Sequence, residues 1–300
     1  MKHLQTFRCI LDISRQGSIR KSAENLHITP SALTRKIQEF EEELGTTIFE
    51  RLPQGMRLNA AGELLVRHIQ DQLADFERLR SQIADLSGIR RGHVSIACSQ
   101  AFVDHILPNQ IATYRALFPQ VSFSVFIRDH SLGINSLKSF EADLALLLDP
   151  PQTTDMLELF VSKQPLCAVM NTNHPLAKVD SIRLRNCCEF PIVMPSHTLA
   201  IRPLLDKAMY QRQLQPNIPI ESSSLEFLRS YIQQENAITF QIMSGVPHSD
   251  QRICAKPIDT RDIPPIRIVL GQLKDRSLSI AATKFVDQLS RSWDESLLEI

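Results

Sequence analysis

The start of the chain carries apolar residues at helical spacing, separated by residues that begin and end helices. A first amphipathic helix, ending near Gly17, is predicted by four apolar positions: Leu4, Phe7, Ile10 and Leu11. A second short helix is expected from Ser18, a good N-cap, to about Leu26. Thr29 and Pro30 then predict the start of a third helix, because Thr caps free amides and Pro has no amide to satisfy.

The third predicted helix has one apolar stripe and one polar face. Its apolar residues are expected to face a core: Leu33, Ile37, Phe40 and Leu44. The opposite face then presents side chains that can hydrogen-bond to base edges or phosphates: Ser31, Thr34, Arg35 and Gln38. In a helix-turn-helix this N-terminal part of the second helix of the motif enters the major groove. Periodicity alone also allows a solvated helix in an ordinary three-helix domain.

The segment after this helix reads as a hairpin. Gly45 is expected to stop the helix, and residues 51–58 contain turn residues at Pro53 and Gly55. Arg51 and Arg57 flank the tip, where guanidinium groups can enter a minor groove or grip phosphate. A surface hairpin with two arginines is also an ordinary feature, so the hairpin alone does not decide the function.

A long one-sided helix is predicted next, capped by Asn59 and continuing to about Leu86. Its apolar residues form a single seam: Leu65, Ile69, Leu73, Phe76, Leu79, Ile83 and Leu86. Such a seam favours pairing with a second copy, and packing on its own domain is the alternative. Residues 87–92 then predict a helix stop and hinge.

The remaining two hundred residues alternate between strand-like and helix-like segments. Residues 93–148 predict a βαβαβ unit, and the alternation starts again near Pro165. This alternation implies mostly parallel sheets covered by helices, with ligands binding at the carboxyl ends of strands.

The run from Ser18 to Gly62 resembles the DNA-binding domain of LysR-type transcriptional regulators. The residues that match the family pattern occur in its order: Ser18, Ser22-Ala23, Ser31-Ala32-Leu33-Thr34-Arg35-Lys36-Ile37, Phe40-Glu41, Leu44-Gly45, Ile48-Phe49-Glu50-Arg51 and Asn59-Ala60-Ala61-Gly62. The departures keep similar chemistry, and Thr34 in place of the usual Ser could alter base preference. A weaker resemblance continues through the rest of the chain, including residues 142–145 and 174–177.

This resemblance implies an α/β protein with three parts. We expect an N-terminal all-α winged helix-turn-helix over residues 1–60, and a long linker helix for dimerisation with a hinge over 61–91. The C-terminal effector domain over 92–300 would be two-lobed α/β, of the type 2 periplasmic-binding-protein-like kind. Lobe 1 would comprise about 92–161 and 266–300, and lobe 2 about 162–265, with the chain crossing between the lobes near Val161 and Pro264.

The resemblance also implies which residues contact the partners, namely double-stranded DNA and a small-molecule effector. The expected DNA-binding residues are Ser18, Arg20, Lys21, Thr29, Ser31, Thr34, Arg35, Gln38, Arg51 and Arg57. The expected effector-binding residues are Ser99, Gln100, Arg128, Ser196, His197, Thr198 and Arg202. The two arginines are candidate counter-charges for an anionic effector. Simple helix caps are an equal alternative for the Ser and Thr positions, and an exposed loop histidine is the favoured interpretation of His197.

Composition and motifs narrow the remaining function classes. The chain has 33 basic and 33 acidic residues, so DNA binding has to depend on local charge. The chain has only 9 glycines and contains no nucleotide-binding or hydrolase motif. We therefore predict that it is not an enzyme and that it has no cofactor or metal site. Cys187 and Cys188 are interpreted as structural, with a redox switch as the alternative.

The N-terminal twenty residues are interrupted by charges, unlike the apolar core of a signal peptide, and the 6 cysteines lack a regular framework. We therefore expect a cytoplasmic, self-associating regulator, as a dimer or tetramer, with no membrane partner. The chief rival is a solute-binding protein or small-molecule sensor without a transcriptional role.

Overall fold

The computed structural model describes residues 2–52, 55–86, 91–246 and 250–296. The chain divides into two compact units, Met1–Glu77 and Arg78–Ile300. The predicted hinge residues 87–90 and the hairpin residues Pro53 and Gln54 lie outside the described residues.

The first unit is a three-helix core followed by a hairpin and the start of a long helix. Its elements in chain order are α1 (Lys2–Gln16), α2 (Ile19–Asn25), α3 (Pro30–Leu44), β1 (Phe49–Leu52), β2 (Gly55–Leu58) and α4 (Ala60–Leu86). The core contains buried side chains from all four helices and from the residue before β1: Ile10, Ile13, Ala23, Leu33, Ile48 and Ile69. β1 and β2 pair antiparallel, and the hairpin begins two residues earlier than the sequence indicates.

Position 62, in the first turn of α4, has room only for a glycine. A Cβ atom on this glycine would lie 2.1 Å from the carbonyl oxygen of Ile48, which is closer than atoms can approach. Asn59 caps the same helix, since its Oδ1 accepts a hydrogen bond from the Gly62 amide at 2.9 Å. Asn59 and Gly62 therefore hold the start of α4 against Ile48, the residue before β1.

The second unit contains the remaining elements. In chain order they are β3 (Gly92–Cys98), α5 (Ile106–Leu117), β4 (Val121–Ile127), α6 (Ser131–Lys138), β5 (Leu144–Leu148), β6 (Met156–Gln164), β7 (Leu166–Asn171), α7 (Leu184–Cys187), β8 (Val193–Pro195), α8 (Arg202–Gln211), β9 (Ile220–Ser222), α9 (Leu225–Ile232), β10 (Thr239–Ile242), β11 (Ile253–Pro257), β12 (Ile266–Leu273) and α10 (Ile280–Ser296). The structure adds β6 and the short α7 to the elements expected from the sequence.

Lobe 1 is built on a five-stranded sheet in the order β4-β3-β5-β12-β6. The first three strands are parallel, whereas β12 runs antiparallel to both β5 and β6. Lobe 2 contains a three-stranded antiparallel sheet, β10-β7-β11, and the parallel pair β8-β9. The predicted βαβαβ unit is confirmed, since β3, β4 and β5 are parallel, whereas the pairings of β12 in lobe 1 and of β7 in lobe 2 are antiparallel.

Two strands carry the chain between the lobes. The chain leaves the sheet of lobe 1 at Gln164, three residues beyond the expected Val161, and returns at Ile266, next to the expected Pro264. The sequence prediction missed β6, whose buried and exposed positions alternate only over its last residues and so give no clear strand pattern.

Candidate DNA-binding surface and effector cleft

Local capping determines where α3 begins and ends. Thr29 is the N-cap, with its hydroxyl oxygen 3.3 Å from the Ala32 amide, and Pro30 is the first helical residue. Gly45 ends the helix in the left-handed region at φ +76°. Ser18 caps α2 in the same way, with its oxygen 3.4 Å from the Lys21 amide. The start of α2 and both ends of α3 are thus determined by local capping residues.

The buried side of α3 sets the direction of its polar side. Leu33 and Ile37 are buried and Phe40 packs against the same core. Leu44 is 44% exposed, which contradicts the expected four-residue stripe, because α3 ends at this residue and extends past the core. The stripe therefore comprises three residues rather than four.

The four polar side chains of α3 lie on the surface. Ser31, Arg35 and Gln38 are exposed, and Thr34 is half-buried. Thr34 donates a hydrogen bond from its hydroxyl to the Pro30 carbonyl at 2.8 Å. Arg35 donates from Nε to Glu39 Oε1 at 2.8 Å, so its guanidinium is held along the helix. The N-terminal half of α3 thus presents a polar, partly basic face.

Basic residues flank this face on two sides. On α2, Arg20 and Lys21 are exposed, and Arg20 lies 3.6 Å from Glu24. On the hairpin, Arg57 is exposed and pairs in register with Glu50. Arg51 belongs to β1, but its side chain lies outside the described part of the structure. The hairpin is tied to the end of α1, because the Met56 amide donates to the Gly17 carbonyl at 2.7 Å.

The apolar seam of α4 divides into two parts. Its first half packs on the core of the first unit through Leu65, Ile69 and Leu73. Among the described side chains of its second half, Phe76, Leu79 and Ile83 are between 40% and 54% exposed. The side chain of Leu86 is not among those described. Packing on its own domain therefore accounts for the first half of the seam, and pairing of the second half with another copy stays a prediction.

The expected effector residues of lobe 1 lie after the first strand of that lobe. Ser99 is buried, and its hydroxyl oxygen accepts a hydrogen bond from the Leu148 amide at 3.1 Å. Gln100 reaches across to lobe 2, where its Oε1 accepts from the Leu225 amide at 3.1 Å. This contact brings the start of α9 to the edge of lobe 1.

The expected residues of lobe 2 form a hydroxyl-rich turn after β8. The hydroxyl oxygens of Ser196 and Thr198 lie 2.7 Å apart, and the Ser196 amide donates to the Ser222 carbonyl. His197 is exposed, with Nδ1 3.6 Å from Asp206. The N-cap of α8 is Ile201, without a side-chain cap, so the two hydroxyls are not the caps of that helix.

Both candidate counter-charges are already paired with carboxylates. Arg128 donates to Glu141 at 2.8 Å. Arg202 is buried and donates to Glu221 at 2.7 Å and to Asp206 at 2.8 Å. The positive charges proposed for an anionic effector are thus neutralised within the protein.

A residue that the sequence analysis missed lies beside these groups. Asp129 lies two residues after the end of β4 and is buried, with 8% of its surface exposed. Burial raises the pKa of its carboxyl, while hydrogen bonding from Ser99 and from the Gln100 and Ala200 amides acts in the opposite direction. The available signal was its position at the carboxyl end of a parallel strand, where ligands of such sheets bind.

Comparison with known proteins identifies the family. Residues 2–63 match the bacterial regulatory helix-turn-helix proteins of the lysR family, and residues 87–294 match the LysR substrate binding domain. The second match alone covers well over half of the chain. The chain belongs to the LysR family of transcription regulators.

Individual LysR proteins are similar over nearly the whole chain. A probable RuBisCO transcriptional regulator of Cyanophora paradoxa is 25% identical, over 98% of this chain and 91% of its own length. A full-length OxyR variant from Pseudomonas aeruginosa has a TM-score of 0.69 at 19% identity, covering 96% and 93% of the two chains. CbnR complexed with its target DNA has a TM-score of 0.64 at 15% identity, covering 96% and 98%. The two structures show the shared fold.

The family match confirms the predicted regulator class and the fold class. It covers both the helix-turn-helix and the two-lobed effector domain of this LysR chain. Within the described ranges, no helix is both long and apolar enough to cross a membrane. The same residues hold no group of three or more His, Cys, Asp or Glu that could bind a metal ion.

The thiols of this LysR chain lie in environments that disfavour the reactive thiolate. Burial raises the pKa of Cys98, Cys167 and Cys187 to about 12. It also raises the pKa of the other three thiols, Cys9, Cys188 and Cys254. These shifts support the structural interpretation of the vicinal pair Cys187 and Cys188.

Proposed function

We propose that this LysR chain regulates transcription by inserting the N-terminal half of α3 into a DNA major groove. The observation that carries the proposal is the division of α3, with Leu33 and Ile37 buried and Ser31, Arg35 and Gln38 exposed on the other side. Side chains of these types can read base edges or bind phosphates. Thr34 would contribute from the edge of the same face.

Neighbouring residues would fix the position of α3 on the DNA. Ser18, Arg20 and Lys21 at the start of α2, with Thr29, would contact the phosphate backbone. Arg51 and Arg57 of the hairpin would lie in or beside the adjacent minor groove. Such contacts supply affinity that falls as the salt concentration rises.

Two copies of the chain would bind together. The exposed half of the α4 seam offers Phe76, Leu79 and Ile83 for pairing with a second chain. A symmetric pair would set two α3 helices about one DNA turn apart or a multiple of it, which suits a pseudo-palindromic site. Either a dimer or a tetramer would place two α3 helices on the DNA in this way.

A small-molecule effector would bind between the lobes and modulate this activity. The proposed lining includes Ser99 and Gln100 from lobe 1 and the Ser196-His197-Thr198 turn from lobe 2. Arg128 and Arg202 keep a proposed place beside the cleft, with their charges already paired. We propose regulation rather than catalysis, in the cytoplasm.

The test is an Arg35→Ala variant, assayed by mobility shift on the DNA upstream of the chain's own gene. Affinity should fall by about 1–3 kcal/mol if Arg35 reads a guanine, and by less if it contacts only phosphate. Arg15→Ala is a matched control, because Arg15 is an exposed arginine at the end of α1. Equal affinity of wild type and Arg35→Ala would remove Arg35 from the interface.

A further inference from the structure

Two side chains of lobe 1 reach one face of α9 in lobe 2. Gln100 accepts a hydrogen bond from the Leu225 amide at 3.1 Å, and Asp104 forms an ion pair with Arg229. Leu225 and Arg229 are four residues apart in α9, so they lie on the same side of the helix. The segment that directly follows Ser99 of the proposed cleft is therefore attached to lobe 2 through both ends of this helix face.

The Leu225 amide lies where a helix offers no acceptor of its own. Leu225 is the first residue of α9, and the first amides of a helix have no carbonyl of a preceding turn to bind. The hydroxyl oxygen of the N-cap Ser224 accepts from the Phe227 amide instead, at 3.1 Å. The hydrogen bond from the Leu225 amide to Gln100 therefore lasts only while the two lobes are in contact.

Arg229 is held in place from within lobe 2. Its side chain is 10% exposed, and its Nη1 donates to Gln241 Oε1 at 3.2 Å. Gln241 is buried and donates in turn to the Leu225 carbonyl at 3.5 Å. Asp104, on lobe 1, is 31% exposed. Without the charge of Asp104 the guanidinium would be uncompensated in this arrangement, and it would regain water only if the lobes moved apart.

The same segment of lobe 1 also meets the backbone of lobe 2. A Cβ atom on Gly245, which follows β10, would lie 2.9 Å from the carbonyl oxygen of Ala101. The lack of a side chain at position 245 lets the lobes approach this closely. Residues 100–104 thus meet lobe 2 through a hydrogen bond, an ion pair and a backbone contact, and only the ion pair joins full charges.

We propose that Asp104 and Arg229 form a latch that holds α9 against residues 100–104, so that release of this ion pair separates the two sides of the proposed effector cleft. The proposal rests on the proposed function, because Gln100 belongs to the proposed lining of that cleft. A ligand shifts an equilibrium only by its different affinity for the two states. The strength of the latch would therefore set how often the cleft is open before an effector binds.

Amide hydrogen exchange of the full-length chain, at single-residue resolution, tests the latch. Asp104→Asn removes the charge and keeps the size of the side chain. Exchange at the Leu225 amide should become about tenfold faster, because its hydrogen bond to Gln100 opens when the lobes part. Exchange at the Phe227 amide should not change, because its acceptor Ser224 belongs to lobe 2.

Two further variants are controls. Asp104→Glu keeps the charge and should restore most of the slow exchange at Leu225. Asp275→Asn removes an exposed charge elsewhere in lobe 1 and should exchange like wild type. An equal acceleration at Leu225 and Phe227 in Asp104→Asn would overturn the latch, because α9 itself would then be opening. Unchanged exchange at Leu225, equal acceleration in Asp275→Asn, or no restoration in Asp104→Glu would overturn it too.

Salt provides a second measurement if Asp104→Asn does not fold. Raising sodium chloride from about 0.05 M to about 0.5 M weakens a partly exposed ion pair. In wild type, exchange at Leu225 should then accelerate relative to exchange at Phe227. A ratio of the two rates that does not change with salt would overturn the latch.

The mobility-shift assay separates this proposal from the proposed function. Arg35 belongs to the first compact unit and Asp104 to the second. If the exchange test fails and Arg35→Ala still loses affinity for DNA, only the latch is wrong. If Arg35→Ala binds DNA normally while Asp104→Asn opens the lobes, the DNA contact of Arg35 is wrong and the latch stands.

Discussion

Arg35 and Glu39 form an ion pair of 2.8 Å, one turn apart on the exposed face of α3. Both side chains are more than half exposed, so the pair contributes little to stability. The ion pair matters for DNA binding, because the guanidinium proposed to contact DNA is held by a carboxylate of its own helix. Arg35 has to leave Glu39 before it can contact a base or a phosphate.

We therefore expect Glu39→Gln to bind the DNA upstream of the gene about 2–5-fold more tightly. The substitution removes the ion pair that holds Arg35 and also removes a negative charge close to the DNA. Fluorescence anisotropy at fixed salt concentration measures the change. Glu43→Gln is the control, since it removes the same charge from the last turn of α3, farther from Arg35. Identical gains in both variants would show that general charge, and not the release of Arg35, is responsible.

The exposed half of the α4 seam gives a second prediction. Leu79→Glu places a charge among Phe76, Leu79 and Ile83, and should convert the associated protein to monomers in sedimentation velocity. DNA affinity should fall about tenfold or more, because two linked half-site contacts become one. Gln72→Glu, at an exposed polar position of the same helix, should retain association. A dimer that persists in Leu79→Glu would place the interface elsewhere.

How well the sequence predicted an element depended on whether local chemistry determines it. The bounds of α3 follow from Thr29, Pro30 and Gly45, which act within one turn of the helix ends, and the sequence predicted them closely. The exposure of Leu44 and the division of the α4 seam depend on how far the core extends along each helix. The spacing of apolar residues along one helix does not show how far the core extends.

The proposed effector cleft was less predictable because its residues come from distant segments. Ser99, Gln100 and the turn at Ser196 were expected from the resemblance to LysR-type regulators. The partners of Arg128 and Arg202 were not predictable, because Glu141 and Glu221 reach them only through the fold. The burial of Asp129 was not predictable for the same reason, since it depends on how separate segments of the chain pack around this residue.

A third prediction concerns Asp262, whose side chain is 1% exposed and joins three segments of lobe 2. It accepts hydrogen bonds from Arg183, from Arg212 and from the Leu184 amide, all between 2.7 and 2.8 Å. Asp262→Asn should lower the free energy of unfolding by about 2–4 kcal/mol, because two guanidinium groups lose their buried counter-charge.

Urea denaturation measures this loss, and Asp259→Asn is the control. Asp259 pairs with Arg261, whose side chain is 73% exposed, so its loss should be much smaller. Equal losses in the two variants would show that the burial of Asp262 adds nothing to its ion pairs.

The stability of the chain should depend on pH through the same residue. Arg183 and the other donors hold the pKa of Asp262 far below its ordinary value of about 3.9. Because the folded protein releases this proton more readily than the unfolded chain, the stabilisation is present above about pH 4 and is lost as pH falls below it. Between pH 5 and pH 3, Tm should fall less in Asp262→Asn than in wild type; parallel curves would contradict the assignment.

The final prediction is that oxidation does not regulate DNA binding by this LysR chain. The thiolate is the reactive form of cysteine, and burial raises the pKa of all six thiols, so little thiolate exists near neutral pH. The half-buried Cys188 and Cys254 are the most accessible of them. Reduced and peroxide-treated protein should therefore bind the same DNA with equal affinity, and iodoacetamide should label the native protein far more slowly than the urea-unfolded protein. A difference in affinity that disappears in Cys188→Ser would instead establish a redox switch at the Cys187-Cys188 pair.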